Sequence, residues 1–236
     1  MKEILSFLKE LSANNNREWF AENKEWYREC YAQFVEFSAE YIRRLSQLDP
    51  SLAVLQPKDC IWRIYREVRF SHDKRPYKEW FGVFPAAGVP GQPKTWGKHS
   101  MRGGYYVHLQ PGQCMFAGGI WDPGKELLDA LRKEIEANYE EVEDIMAHPQ
   151  WKKYFEQDFD YMWGALKRVP AGFDPNFKHA DWLRHKTYTF STPLTDKEVC
   201  APDFMDRIIE IAAAGKPMND FLNYTFEEYG EFPSRC

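Results

Sequence analysis

The sequence predicts an α+β protein, with an antiparallel sheet from the central region packed against N-terminal and C-terminal helices. Two observations predict it. Apolar residues recur at helical spacing near both ends of the chain, and the middle carries a hairpin pattern. Strand and helix do not alternate along the chain, which argues against a doubly wound sheet. With no internal repeat and no linker, the simplest organisation is one domain over residues 1–236.

The elements follow in order. Ile4, Leu5, Leu8 and Leu11 mark a helix over residues 2–11. Asn14, Asn15 and Asn16 break it and can cap a second, long helix from about Arg17 to Leu45. Its stripe is Trp19, Trp26, Cys30, Phe34, Phe37, Tyr41 and Leu45. Asp49-Pro50 ends it. Cys60–Tyr65 is rich in β-formers and reads as a strand, as does Trp80–Phe84. Residues 88–104 carry many Gly and Pro and read as a loop. Tyr105–Gln110 alternates, with Tyr106, His108 and Gln110 on one face. Pro111-Gly112 then turns the chain into a returning strand over 113–121. Leu127, Leu128, Leu131, Ile135 and Tyr139 form another helical stripe, followed by a helix over 140–146. A strand at 165–169, a short helix at 176–184, a strand at 186–192 and two helices at 203–214 and 217–228 complete the reading.

Composition narrows function more than it names it. The chain has 236 residues and a net charge of −5, which argues against bulk coating of nucleic acid. Its five cysteines are widely spaced with no C-x-x-C, so neither a disulfide framework nor a zinc module is indicated. Free thiols suit a reducing compartment, and the expected location is the cytoplasm. No apolar run approaches a membrane span, so no membrane partner is expected. No dinucleotide fingerprint, P-loop, nucleophile elbow or metal-binding helix motif occurs, and no cofactor or metal is expected. His179 and His185 lie six apart, which is no metal-ligand spacing. Gly118-Gly119 reads as a bulge or a close approach. Nothing in the sequence sets the oligomeric state.

One stretch departs from this background. Lys58 to Lys78 holds seven Lys or Arg and three acids, a local charge of +4 inside a chain of −5. Arg63, were it on a strand with Ile61 and Tyr65, would be partly buried and would need a partner. Ser71 to Pro76 reads as an ordered loop in which Asp73 accepts backbone bonds. Arg63, Arg66, Arg69, Lys74 and Lys78 can hold an anion through charge-assisted bonds. Facing them, Tyr106 and His108 on the predicted hairpin offer a phenol and an imidazole. His108 or Asp73 is the acid–base candidate. The expected ligand is a small molecule bearing a phosphate or carboxylate. The alternative is a non-catalytic module whose basic patch docks an acidic protein or a nucleic-acid backbone. A third reading is an internal network in which Asp59, Glu67 and Asp73 neutralise the arginines. Trp62, Tyr65, Tyr77 and Trp80 interleave with the cations and can stack on bases, although core packing explains Trp62 as well.

Several runs resemble the bacterial family called domain of unknown function 2461. They are Phe7–Leu11 with Asn14–Phe20, Ile64–Lys78, Gly104–Leu109, Ala117–Trp121, and Leu166–Arg168 with Gly172–Asp174. The most specific is the Arg-Phe-Ser-x-Asp-Lys-x-Pro-Tyr-Lys run at 69–78. The resemblance implies one α+β domain and supplies no reaction.

Overall fold

The computed structural model describes residues 1–88, 95–156, 158–161, 164–230 and 232. It is an α+β fold whose four strands form one antiparallel sheet in the order β1-β2-β3-β4. The elements are α1 (Lys2–Ala13), α2 (Arg17–Glu22), α3 (Lys24–Leu48), α4 (Pro57–Cys60), β1 (Phe81–Val83), β2 (Gly104–Leu109), β3 (Cys114–Ile120), α5 (Lys125–Ala137), α6 (Tyr139–Ala147), α7 (Pro149–Tyr154), β4 (Tyr188–Leu194), α8 (Asp196–Val199) and α9 (Phe204–Glu228). The chain forms two compact units. One gathers Met1–Pro85, Tyr106–Phe116 and Pro193–Ile209, and the other gathers Ala86–Tyr105, Ala117–Thr192 and Glu210–Cys236. Each therefore draws on three separate stretches of chain.

In the first unit α1 buries Ile4, Leu5, Phe7, Leu8 and Leu11, the stripe its spacing dictates. The Asn16 side chain accepts from the Trp19 backbone at 2.9 Å and starts α2. The expected single helix from 17 to 45 is broken at Asn23. Its amide side chain donates back to the Trp19 carbonyl at 2.9 Å, closing one helix before the next begins. α3 then buries Cys30, Phe34, Tyr41, Ile42 and Leu45. Phe34 and Phe7 meet Phe81 of β1, with centroids 5.1 and 6.5 Å apart. β1 pairs antiparallel with β2 in the register Phe81↔Leu109, Gly82↔His108, Val83↔Val107. Alternation thus puts Val107 and Leu109 in the core and Tyr106 and His108 on the half-buried face.

The outer side of β1 is covered. The Trp62 backbone donates to the Gly82 carbonyl and the Phe84 backbone to the Cys60 carbonyl. The expected strand over 60–65 is absent: Cys60 closes α4, and the residues after it form isolated bridges, Ile61↔Val83 to β1 and Tyr65↔Tyr77 to a residue before β1. Its burial explains why. Ile61 and Ile64, three apart, are both buried while Arg63 is exposed, so the period of two needed for a strand is missing.

In the second unit α5 buries Leu127, Leu131 and Ile135. Phe190 of β4 packs on Trp151 and Phe155 at 5.0 and 4.8 Å. Gly118 and Gly215 give its ring room, since a Cβ at either would stand 2.4 or 2.5 Å from a ring carbon. Gly119 has φ +90°, and a Cβ there would lie 2.1 Å from the Tyr188 carbonyl oxygen. The buried Asn219 accepts from the Gly119 backbone at 2.8 Å and donates to the Gly104 carbonyl at 3.0 Å. The two helices expected at 203–214 and 217–228 are one. α9 runs through Pro217, flanked by buried Ala214 and Met218. Packing on both sides offsets the one hydrogen bond that proline removes. Of the strand expected at 165–169, a single bridge Ala165↔His185 forms, and residues 176–184 are turns ending in a 3-10 helix at Trp182–Arg184. The far rim of β4 is met by the Asp160 backbone, which donates to the Thr189 carbonyl at 2.7 Å.

Arg132 and His185 also lie deep in this unit. Arg132 is 4 % exposed and donates to the Leu183 and His185 carbonyls at 2.8 and 3.0 Å, with Asp129 at 3.0 Å. His185 is fully buried against Tyr161 and Phe159. Burial pushes its imidazole down to about 4, opposed in part by the Asp160 backbone. The unfolded chain takes up that proton near pH 6.5, whereas the folded chain refuses it until about pH 4. Stability is therefore expected to fall as pH drops through this window and to level off below it, by up to about 3 kcal/mol. Urea unfolding at pH 7, 5.5 and 4.5 checks this. His185→Gln is expected to flatten the slope, and an unchanged slope in the variant would remove His185 as its source.

Candidate functional site

The basic segment closes on itself in an irregular antiparallel ladder. The Lys78 backbone donates to the Ile64 carbonyl at 2.7 Å and the Arg66 backbone to the Pro76 carbonyl at 2.9 Å, enclosing residues 67–75 as a loop. Asn15, in the turn between α1 and α2, holds the returning arm. Its amide donates to the Tyr77 carbonyl at 3.0 Å and to Glu79 at 2.9 Å, and its oxygen accepts from the Tyr77 backbone at 3.2 Å. The Phe20 and Tyr77 rings stack 3.9 Å apart.

Inside the loop most cations are engaged. Asp73 accepts from Arg66 at 2.7 Å and from Arg75 at 2.8 Å, and Arg75 also reaches Glu79. The side-chain bond from Arg75, then its backbone N–H and the Arg66 guanidinium, hold the Asp73 carboxyl far below the usual carboxylate range. A carboxylate held that low is a weak base. Glu67 takes Arg69 through two nitrogens at 2.9 and 3.0 Å. Lys74 donates to the Val68 and Arg69 carbonyls at 3.0 and 3.4 Å. Lys78 donates to the Arg63 and Tyr65 carbonyls at 2.6 and 2.9 Å. Burial, with the Arg63 and Arg66 charges behind it, lowers the Lys78 ammonium. The Arg63 side chain is exposed and its guanidinium has no hydrogen-bond or ion-pair partner among the described residues. Asp59 serves α4 instead of the arginines, accepting from the Gln56 backbone at 3.1 Å.

The second group lies along β2. The Tyr106 hydroxyl and His108 Nδ1 are 2.6 Å apart, and His108 Nε2 and Gln110 Oε1 are 3.0 Å apart. An amide oxygen only accepts, so with Gln110 in this orientation Nε2 carries the hydrogen. Nδ1 then accepts from the Tyr106 hydroxyl. Burial lowers the His108 imidazole and raises the Tyr106 phenol, so both are neutral near pH 7. Trp80 lies 5.1 Å from the His108 ring, and Trp62 meets Tyr106 edge-on at 5.5 Å. Gly82 makes the space, since a Cβ there would stand 2.9 Å from the Tyr106 hydroxyl.

Lys78 joins the two groups, its ammonium lying 5.6 Å from the centre of the Trp80 ring. The residues beside His108 are thus Trp80 and Gly82, rather than Arg63 or Arg66. The contacts of Arg69 and Lys74 stay within the loop. Gln110, which alternation places on the face of Tyr106 and His108, and Asn15, which carries no sequence signal for this contact, complete the arrangement. Among the described residues, no group of three or more His, Cys, Asp or Glu is placed to hold a metal ion.

The model of the family described as "Conserved hypothetical protein (DUF2461)" matches residues 3–221. The chain belongs to this family. The match spans the basic loop, the Tyr106–His108 row and most of α9, so both groups of side chains lie inside the DUF2461 region. No curated protein and no solved structure matches the chain. No helix among the described residues of this DUF2461 chain is long and apolar enough to cross a membrane.

Proposed function

We propose that the protein binds a small molecule bearing a phosphate or carboxylate, at the half-buried face where Lys78 meets the Tyr106–His108 row. One observation carries the reading. A neutral imidazole, bonded on both sides, sits in an aromatic surround beside a partly desolvated lysine. A few convergent polar groups in an apolar surround are what small-molecule sites are made of. Arg63 supplies the free guanidinium, suited to bidentate capture of the anion. Lys78 adds a point charge through its remaining N–H. Arg66, Arg69, Lys74 and Asp73 brace the loop that presents them. In any proton transfer the Tyr106–His108 pair is the relay. The reading requires no cofactor, and its compartment is the cytoplasm, in keeping with free thiols at Cys30, Cys114 and Cys200.

The test is a thermal-shift and calorimetric screen against nucleotides, sugar phosphates and organic acids. One class is expected to raise the melting temperature of the wild type. A ligand at a hundred times its Kd adds about 2.7 kcal/mol. Arg63→Met and Lys78→Met are each expected to weaken binding about tenfold or more, as loss of a charge-assisted bond requires. Equal affinity in both variants would remove the site, and no shift with any class would remove the reading.

A further inference from the structure

The same loop has a feature that a small-molecule site leaves unused. Phe70 stands at its tip and is 93 % exposed. The loop is not slack around it. Glu67 holds Arg69, Asp73 holds Arg66 and Arg75, and Lys74 ties down two carbonyls. The Arg69 guanidinium lies 5.9 Å from the Phe70 ring centre. A large apolar ring held out by a loop that is already braced leaves little backbone freedom to be lost on binding, which is the character of an interface anchor. Residues 63–79 hold six Lys or Arg and three Asp or Glu, a net charge of +3. The interspersed acids Glu67, Asp73 and Glu79 would repel a polyanion such as nucleic acid. One apolar anchor in a mixed, net positive rim fits instead a protein pocket with an acidic rim.

The chain carries such a pocket itself, within the second unit. A cleft of about 660 Å³ is bordered by α9 and by the end of α5 and the start of α6. Phe221, Tyr224 and Tyr229 line it, the two tyrosines being 47 % and 39 % exposed. Glu141, Asp220 and Glu228 stand among them, and no Lys or Arg does. Asp220 is paired with Lys216 at 2.5 Å. Glu141 and Glu228 have no ion-pair partner among the described residues.

We propose that the Phe70 loop of one copy docks into this acidic, aromatic-lined cleft of a second copy. The two surfaces differ, so the contact is head-to-tail and each added copy leaves one loop and one cleft open. The expected wild-type behaviour is a mass that rises with concentration at low salt and falls back at high salt. Light scattering and analytical ultracentrifugation read it directly.

Complementation makes the test decisive. Phe70→Ser spoils the loop and keeps the cleft, whereas Glu141→Lys with Glu228→Lys spoils the cleft and keeps the loop. Each variant alone is expected to be monomeric, with its association constant lowered at least tenfold. Mixed, they are expected to form a complex of two copies and no larger species, since one productive contact remains. Circular dichroism and melting establish that both are folded, and Tyr224→Ser replaces the charge reversals if they are not. A wild type monomeric at every concentration overturns the proposal. So does association that neither variant weakens, or a mixture that stays monomeric. Phe70-dependent binding of a single-stranded oligonucleotide without self-association overturns it in favour of a nucleic-acid partner.

Discussion

Gly119→Ala is expected to cost about 4 kcal/mol or more, a large part of the roughly 5–15 kcal/mol that holds an ordinary domain folded. Two effects add. The backbone there has φ +90°, which an alanine adopts only under strain. The new Cβ would also meet the Tyr188 carbonyl oxygen at 2.1 Å, and that oxygen belongs to β4, so neither side can retreat without parting strands. Gly112→Ala separates the two effects. Gly112 has φ +73° with nothing within 4 Å of a Cβ, so it carries the strain alone, about 1–2 kcal/mol. Chemical denaturation of both variants checks this. Equal losses would mean that β3 and β4 approach less closely here than the structure has them.

Arg132→Met is the second large effect, at about 2–6 kcal/mol, since each buried carbonyl left without its donor costs about 1–3 kcal/mol. Methionine keeps much of the length and apolar bulk, so packing is largely retained. What goes is the donor to two carbonyls, Leu183 and His185, that lie too deep for water to replace it. Asp129→Asn tests the other half of the ion pair. Asp129 is 41 % exposed, so its loss is expected to cost no more than about 1 kcal/mol. Denaturation midpoints at matched slopes measure both. Comparable costs for the two variants would mean that the ion pair, and not the carbonyls, is what Arg132 supplies.

Periodicity carried the elements whose neighbours agree with their local pattern. α1, the β2–β3 hairpin and α5 bury the stripe that their residues dictate. The errors fell where tertiary contacts outweigh local preference. Residues 60–65 are β-formers, but two isolated bridges give them no ladder to join. Pro217 reads as a break, yet the apolar residues around it hold α9 in one piece. Asn23 was unremarkable in a helical stripe until its side chain turned back on Trp19.

The candidate site was half legible for a similar reason. A net charge of +4 counts formal charges, whereas Lys74 and Lys78 spend theirs on main-chain carbonyls that no sequence count includes. The pairing of Tyr106 with His108 follows from alternation on one strand. The approach of Trp80 and Lys78 depends on the β1–β2 register, which short-range pattern does not set. Asn15 joins the site across more than sixty residues of chain, a distance at which composition says nothing.

The two rims of the sheet were each seen to be met by an irregular segment, the Cys60–Trp62 stretch beside β1 and Asp160 beside β4. An unpaired rim is a template on which a strand from another molecule can grow. At Gly82 and Thr189 the acceptors on which such growth would start are already taken, by segments too short and bent to pass the ladder outward. Pro193, exposed near the end of β4, offers no N–H at all. The loops that look like gaps in the regular structure are in this sense its seals against fibrillar assembly.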